Sequence, residues 1–201
     1  MDNIRQSFVL CCKSETTLFL LKPDSPMTPL CSEIMRIHCQ CVLKKAQTLA
    51  HASRFADAFD YEFLREAVML HDYGIVGVHA PDIGCFGTEP YIMHGILGAQ
   101  HLRNLNPVRY ARHARVCERH IGSGLTAEEI QASGLPLPAR DFLPETLEEK
   151  LITYADNFFS KNPNHLTEEK SWDHVLNSMK RFGNGPVERL LDLRAMFEPQ
   201  V

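Results

Sequence analysis

The sequence predicts one all-α domain, and three observations predict it. After residue 28, apolar residues recur at three- and four-residue steps along most of the chain. Helix-start signals stand before these stretches: Thr28-Pro29, Asp60, Pro107, Thr126-x-x-Glu129, Thr146-x-x-Glu149, Thr167 and Pro186. No strand-like alternation of useful length occurs outside residues 1–27, and no repeat or linker divides the chain. Its 201 residues match the size of a single domain and can bury about 70% of the unfolded surface, so neither a metal nor a disulfide is needed merely to fold.

Residues 1–27 read as a leader or arm ending in Lys22-Pro23-Asp24-Ser25-Pro26, and 28–201 as the domain. A long first helix runs from Thr28-Pro29 to about residue 56, with Ile34, Ile37, Val42, Ala46 and Leu49 at helical spacing and a possible break near Met35. Asp60 caps a helix carrying Phe63, Leu64, Ala67, Val68 and Leu70. The glycine- and proline-rich stretch 73–91 has no helical period and reads as a long loop, which in a compact domain tends to be functional. Helices follow over 92–105 and 108–120. The two capping boxes open a short helix to about 133 and a longer one to about 161, separated by the proline-punctuated loop 134–144. Thr167 caps a helix to 182 that Gly183 stops, and Pro186 begins a last amphipathic helix to about 197.

Composition narrows the function. Hydrophobic residues at 44% and charged residues at 23% are those of a globular protein, not of a disordered or collagenous one. A net charge of −4 argues against a protein that coats nucleic acid, so no extended nucleic-acid partner is expected. The seven cysteines are odd in number, mostly in apolar surroundings and without the spacing of a small secreted domain. They read as reduced thiols of a cytoplasmic protein. No apolar run reaches the roughly 20 residues of a membrane span, and Lys13 and Glu15 interrupt the stretch 8–21 that would otherwise suggest a signal peptide.

Histidine is the residue in excess, at ten of 201. His71-Asp72 closes an apolar helix. Neighbours on a helix point about 100° apart, so both can reach one ion only where the helix ends, and Tyr73-Gly74 supplies that end. His38, His94, His120 and Asp156 lie one per predicted element, the way a helical bundle assembles a site from facing helices. Imidazole and carboxylate suit divalent Fe, Mn, Co, Ni or Zn. One ion would take His38, His71, Asp72 and Asp156. A second would take Asp72, His94 and His120, with Asp72 as the bridge. The competing reading of any single histidine is a packed, hydrogen-bonded residue. His101 and His113, seven residues from His94 and His120, read as packed or exposed rather than as groups behind those ligands; His79 lies in the loop, where an approach to substrate is the lesser reading; His51, His165 and His174 have no partner pattern. His38-Cys39-x-Cys41 is a weak zinc pattern, since its side chains diverge on a helix and no second cysteine pair completes it.

The neighbours of these residues carry a resemblance. His38, Ala67-Val68-Met69-Leu70-His71-Asp72, His94-Gly95-x-x-Gly98, His120-Ile121-Gly122 and Tyr154-Ala155-Asp156 stand in the order found in the HD-domain superfamily of metal-dependent phosphohydrolases. Over 38–161 the chain resembles the six-ligand branch of that superfamily, closest to stand-alone HD proteins sharing Arg119-His120-Ile121-Gly122-Ser123-Gly124-Leu125-Thr126. The resemblance implies a helical HD bundle with its metal site between helices. It implies a hydrolase that attacks a small phosphorylated metabolite or nucleotide through a metal-bound hydroxide; the dinucleoside polyphosphate of HD-type hydrolases with the same six-ligand order is the runner-up substrate and is not carried over, because the loops read differently. A di-iron oxygenase and a non-catalytic nucleotide-binding regulatory module are the alternatives. The chain departs from the common pattern after the pair, where Tyr73-Gly74-Ile75-Val76-Gly77 supplies no cation. A phosphate partner is therefore sought among Arg119, Lys150 and Lys161. All three flank ligand positions and each reads first as a solvated surface charge; Arg119, which precedes a ligand, is the preferred catalytic contact beside Asp72.

Overall fold

The structure, a computed structural model, describes residues 28–198. The expectation of a leader over 1–27 lies outside the described residues. The described residues are mostly helical, with one two-stranded antiparallel ribbon. Helix α1 (Pro29–Ala52) is the spine. Its N-terminus is fixed by Thr28, whose side chain accepts from the Cys31 N–H, and it runs without a break at Met35. Helix α2 (Tyr61–Leu70) starts at Asp60, whose carboxylate accepts from the Phe63 N–H at 3.0 Å. The stretch expected as a loop is instead three tight turns and a ribbon of β1 (His79–Ala80) and β2 (Cys85–Phe86), with His79 opposite Phe86.

Helix α3 (His94–Leu105) lies antiparallel to α4 (Ala111–Arg119) and against the turn 73–77. The expected start of α4 near 108 is displaced to Ala111. The Asn106 side chain accepts from the N–H groups of Val108 and Arg109 and holds 106–110 as a turn. Both capping boxes form, opening α5 (Ala127–Ala132) and α6 (Leu147–Asp156). Helix α6 ends at Asp156, five residues before the expected end. The Lys170 ammonium donates to the carbonyls of Asn157 and Phe159, which satisfies them outside a helix and lets the chain leave. Ser171, not Thr167, caps α7 (Trp172–Met179), and α8 (Asn184–Phe197) closes the fold.

The main core joins Val42, Ala46 and Leu49 of α1 to Phe63, Leu64 and Val68 of α2, Leu151 and Ile152 of α6, and Leu190 and Phe197 of α8. A second cluster packs Cys31, Ile34, Met35 and Cys39 of α1 against Met69, Ile75, Val78 and Cys85. His38 stands on the same buried face of α1, between residues of the two clusters. No described helix is long and apolar enough to cross a membrane.

Candidate functional site

Three helices and the ends of two more bring six residues together. His38 comes from the middle of α1, and His71 and Asp72 from the end of α2. His94 opens α3, His120 follows α4, and Asp156 is the last residue of α6. All but Asp156 are buried, and its side chain is only 17% exposed. The two Asp72 oxygens face different partners. Oδ2 lies 3.3 Å from His38 Nε2 and 3.0 Å from His71 Nε2, whereas Oδ1 lies 3.3 Å from Nε2 of both His94 and His120. Asp156 Oδ1 is 3.0 Å from His38 Nε2 and 3.4 Å from His71 Nε2.

Local backbone orients three of the rings. Nδ1 meets the Val68 carbonyl in His71 at 2.6 Å, the Tyr91 carbonyl in His94 at 2.7 Å and the Cys117 carbonyl in His120 at 2.8 Å. Each Nδ1 therefore carries the donated proton, and each Nε2 points at the carboxylates. Several of these buried atoms lack a hydrogen bond of good geometry despite their close neighbours, among them both Asp72 oxygens, both His38 nitrogens and His71 Nε2. Such atoms can be satisfied by imidazolium protons or by a shared cation. The ligand atoms of His38, His71, Asp72 and Asp156, and those of Asp72, His94 and His120, lie within 4.8 Å of one another, so this donor set fits a cation.

Charge is balanced inside the cluster. Burial opposes ionisation of Asp72, but His71 and Lys161 outweigh it and hold the carboxyl well below its usual range. Burial likewise opposes charge on His71, and the Asp72 and Asp156 carboxylates hold its pKa well above the usual value. His94 goes the other way. Burial, with His120 and Lys161 against the pull of Asp72, lowers it to about 4.

Sequence reasoning weighed Lys161 as a phosphate contact and favoured a surface charge, and the structure places it in the cluster. Its Nζ lies 2.8 Å from Asp72 Oδ2, and its side chain is 13% exposed. Its signal in the sequence was faint: a lysine two residues past the apolar Phe158-Phe159, which the early end of α6 turns inward. Arg119 stands apart from the cluster. Its guanidinium donates to the Leu143 carbonyl and pairs with Glu145 at 2.7 Å and Glu149 at 3.5 Å. Of the other histidines, His101 meets the Tyr73 hydroxyl at 3.3 Å, and His113 meets Glu66 at 3.2 Å beside the Phe63 ring. The five described cysteines are free thiols.

Comparison with known proteins changes the functional expectation. No family model and no solved structure matches the chain. The chain is 37% identical over 111 residues to the tRNA (cytidine(56)-2′-O)-methyltransferase of Picrophilus torridus, covering 54% of this chain and 28% of that protein. It is 31% identical over 118 residues to the enzyme of the same name from Thermoplasma volcanium, covering 59% of this chain and 30% of that one. The chain thus spans under a third of the length of each methyltransferase it matches.

These names overturn the expectation of an HD-type phosphohydrolase, and with it the hydrolase activity and the small phosphorylated substrate. The oxygenase and the nucleotide-binding regulatory alternatives fall with it. The exclusion of an extended nucleic-acid partner falls too, because a net charge sums the whole surface and cannot see a local basic patch. Two divalent ions as catalytic cofactors fall for the same reason, since methyl transfer draws on S-adenosylmethionine. The physical origin of the error is general: the order of His and Asp residues decides which donor atoms meet, but converging donors do not name a reaction. A third relative covers more of its own length. An uncharacterised protein of Methanocaldococcus jannaschii is 40% identical over 137 residues, 68% of this chain and 72% of that protein. At that identity and coverage, the chain belongs to the family of the Methanocaldococcus jannaschii protein.

Proposed function

We propose that this chain works in the 2′-O-methylation of tRNA, as a helical unit that binds the tRNA. One observation carries the reading: 111 and 118 residues of this chain recur within two tRNA methyltransferases more than three times as long as the match. A unit that occurs inside those enzymes and also as the bulk of a separate protein fits a binding and positioning role. The methyl donor tests the alternative, in which the chain itself holds S-adenosylmethionine. The apolar cavity between α5, α7 and α8 has a volume of about 220 Å³. Pockets for ligands of the donor's size run from about 300 to 1,000 Å³. The cavity is smaller than that range, and no step of the transfer is assigned to it.

In this reading the domain is a single helical bundle with its site between the helices. His38, His71, Asp72, His94, His120 and Asp156 are its polar centre, and Asp72, which touches both halves, holds them together. Arg119 supports that centre from outside through the chain that precedes α6. A cytoplasmic location follows from tRNA as the partner.

The test uses the purified chain, unmodified tRNA, S-adenosylmethionine and a tRNA (cytidine(56)-2′-O)-methyltransferase. Retention of tRNA by the chain, weakening steeply with added salt, is the expected result. A change in the rate of methyl transfer by the added enzyme is expected with it. The reading is lost if the chain neither retains tRNA nor alters that rate. Methyl transfer by the chain alone would replace the binding role with a catalytic one.

A further inference from the structure

We infer that the cavity between α5, α7 and α8 receives a nucleobase swung out of an RNA loop. The source of that base rests on the tRNA reading above, but the shape and chemistry of the cavity do not. Its walls include Ile121, Leu125, Leu135, Met179 and Phe182. At about 220 Å³ it exceeds the engineered cavity of about 150 Å³ that takes up benzene, so a flat heteroaromatic ring can be seated within it.

Three features select a base over other apolar occupants. The first is a flat wall. Gly122 lines the cavity with a φ of +63°, where side chains are disfavoured, and a Cβ there would meet only Met179 Cε at 4.0 Å, whereas a Cβ on Gly124 would run into Pro144 and Leu143. A ring can therefore lie directly on that backbone. The second is an aromatic at the opening. Phe182 lines the cavity while 70% exposed, so its ring is available for stacking, and the Met179 thioether lies deeper. The third is charge. Lys180 and Arg181, both exposed, share the turn with Phe182, their head groups turned back to Asn177 Oδ1 and the Ser178 carbonyl, so two cations stand on the Phe182 side of the cavity.

The polar groups of the wall are already committed to holding it in shape. Ser123 Oγ donates to the Pro186 carbonyl at 2.9 Å. Arg189 donates to the carbonyls of Ser123 and Gly124 and to the Glu129 carboxylate. The occupant is thus recognised by its faces more than by its edges, as in sequence-tolerant binding of single strands.

The cavity also adjoins the polar cluster. Ile121, one residue after His120, lines it, and Asn157, one residue after Asp156, donates to the Gly122 carbonyl at 2.6 Å. A base seated on Gly122 therefore belongs to a nucleotide lying alongside the His/Asp centre.

The experiment titrates a fluorescein-labelled single-stranded RNA with the full chain, following polarisation. It compares the parent with Phe182→Ala, Phe182→Tyr and Ser133→Trp, the last placing an indole at the rim of the cavity. Circular dichroism confirms the fold of each. Phe182→Ala is expected to weaken binding about tenfold and Ser133→Trp by a comparable factor, while Phe182→Tyr, which keeps the ring, binds like the parent. A nucleoside monophosphate is expected to compete with the RNA, and ribose 5-phosphate is not. Unchanged affinity in both Phe182→Ala and Ser133→Trp overturns the inference, as does equal competition by ribose 5-phosphate. If tRNA is retained and both variants are neutral, the base pocket falls and the tRNA reading stands. If free nucleotide binds in a Phe182-dependent way but no RNA does, the RNA source and the tRNA reading fall together.

Discussion

Replacing Gly74 by alanine tests whether the site depends on backbone-to-backbone packing. Gly74 is buried in the turn 73–77, directly after the His71-Asp72 pair. A Cβ there would fall far inside 3.0 Å of the His94 carbonyl oxygen and the Gly98 N, and 2.9 Å from Gly98 Cα. All three obstacles are main chain of α3, which cannot swing aside as a side chain can. Gly95 faces the Cys117 carbonyl on α4 at 2.5 Å from its own would-be Cβ, so α3 has little free space toward α4 to retreat into. Overpacked cores lose about 1–3 kcal/mol, and a rigid obstacle on both flanks puts Gly74→Ala at about 3 kcal/mol. For a chain of this length that corresponds to a melting temperature lower by roughly 6–12 °C. Gly77→Ala is the control. Its Cβ would meet Leu97 Cδ1 at 2.8 Å, the flexible end of a side chain that can rotate, so a loss below about 1 kcal/mol is expected. Thermal unfolding followed by circular dichroism reads both. A Gly74→Ala protein melting within about 2 °C of the parent would refute the packing argument.

Asp60→Ala removes the cap of α2 and is expected to cost about 1 kcal/mol in urea unfolding, with the half-exposed pair to Arg112 adding little. The Phe63 N–H and then Arg112 hold the Asp60 carboxyl below its usual range. Its contribution is therefore present above the ordinary carboxylate pKa and lost as pH falls through the lower folded-state value, so the gap between parent and variant should close in acid. Burial pushes the His113 imidazole down against the pull of Glu66, so its NMR titration midpoint should lie below 6.5; a midpoint at or above that value would contradict its placement. Stability attributable to neutral His113 is full above the unfolded value and declines as pH drops toward the folded one. Arg189→Met strips donors from Ser123, Gly124 and Glu129, and is expected to cost about 2 kcal/mol and to weaken RNA binding together with stability. Full stability with intact binding would show that the cavity wall holds without it.

The helical class was legible because caps and periodicity are local signals. Thr126, Glu129, Thr146 and Glu149 form their boxes with neighbours three residues away, so no tertiary information is needed to see them. Element ends were less legible because they are set from afar. Lys170 ends α6 by taking two carbonyls more than ten residues upstream, and Asn106 delays α4 with a side chain whose turn competes with the helix. The six His and Asp residues could be grouped in advance because each stands at a helix end or on a buried helix face. Lys161 could not, because its inward course depends on where α6 stops. The reaction was not legible at all. Imidazoles converging on a carboxylate accept a proton, a cation or a polar ligand alike, and no periodicity distinguishes among them.

Helix α6 joins the two parts of the molecule that matter most to the proposed role. Its last residue, Asp156, completes the polar cluster, and the next, Asn157, holds the cavity wall through Gly122 while also accepting from Lys170. Displacing the end of α6 would therefore disturb cluster and cavity together. The cluster itself is fixed by main-chain carbonyls of Val68, Tyr91 and Cys117, which belong to three separate segments, so its geometry is the geometry of the fold. A unit built in this way suits holding one nucleotide still beside a charged centre. It asks little of the rest of an enzyme except that the methyl donor be brought to the nucleotide so held, which is compatible with a segment spanning under a third of the methyltransferases that contain it.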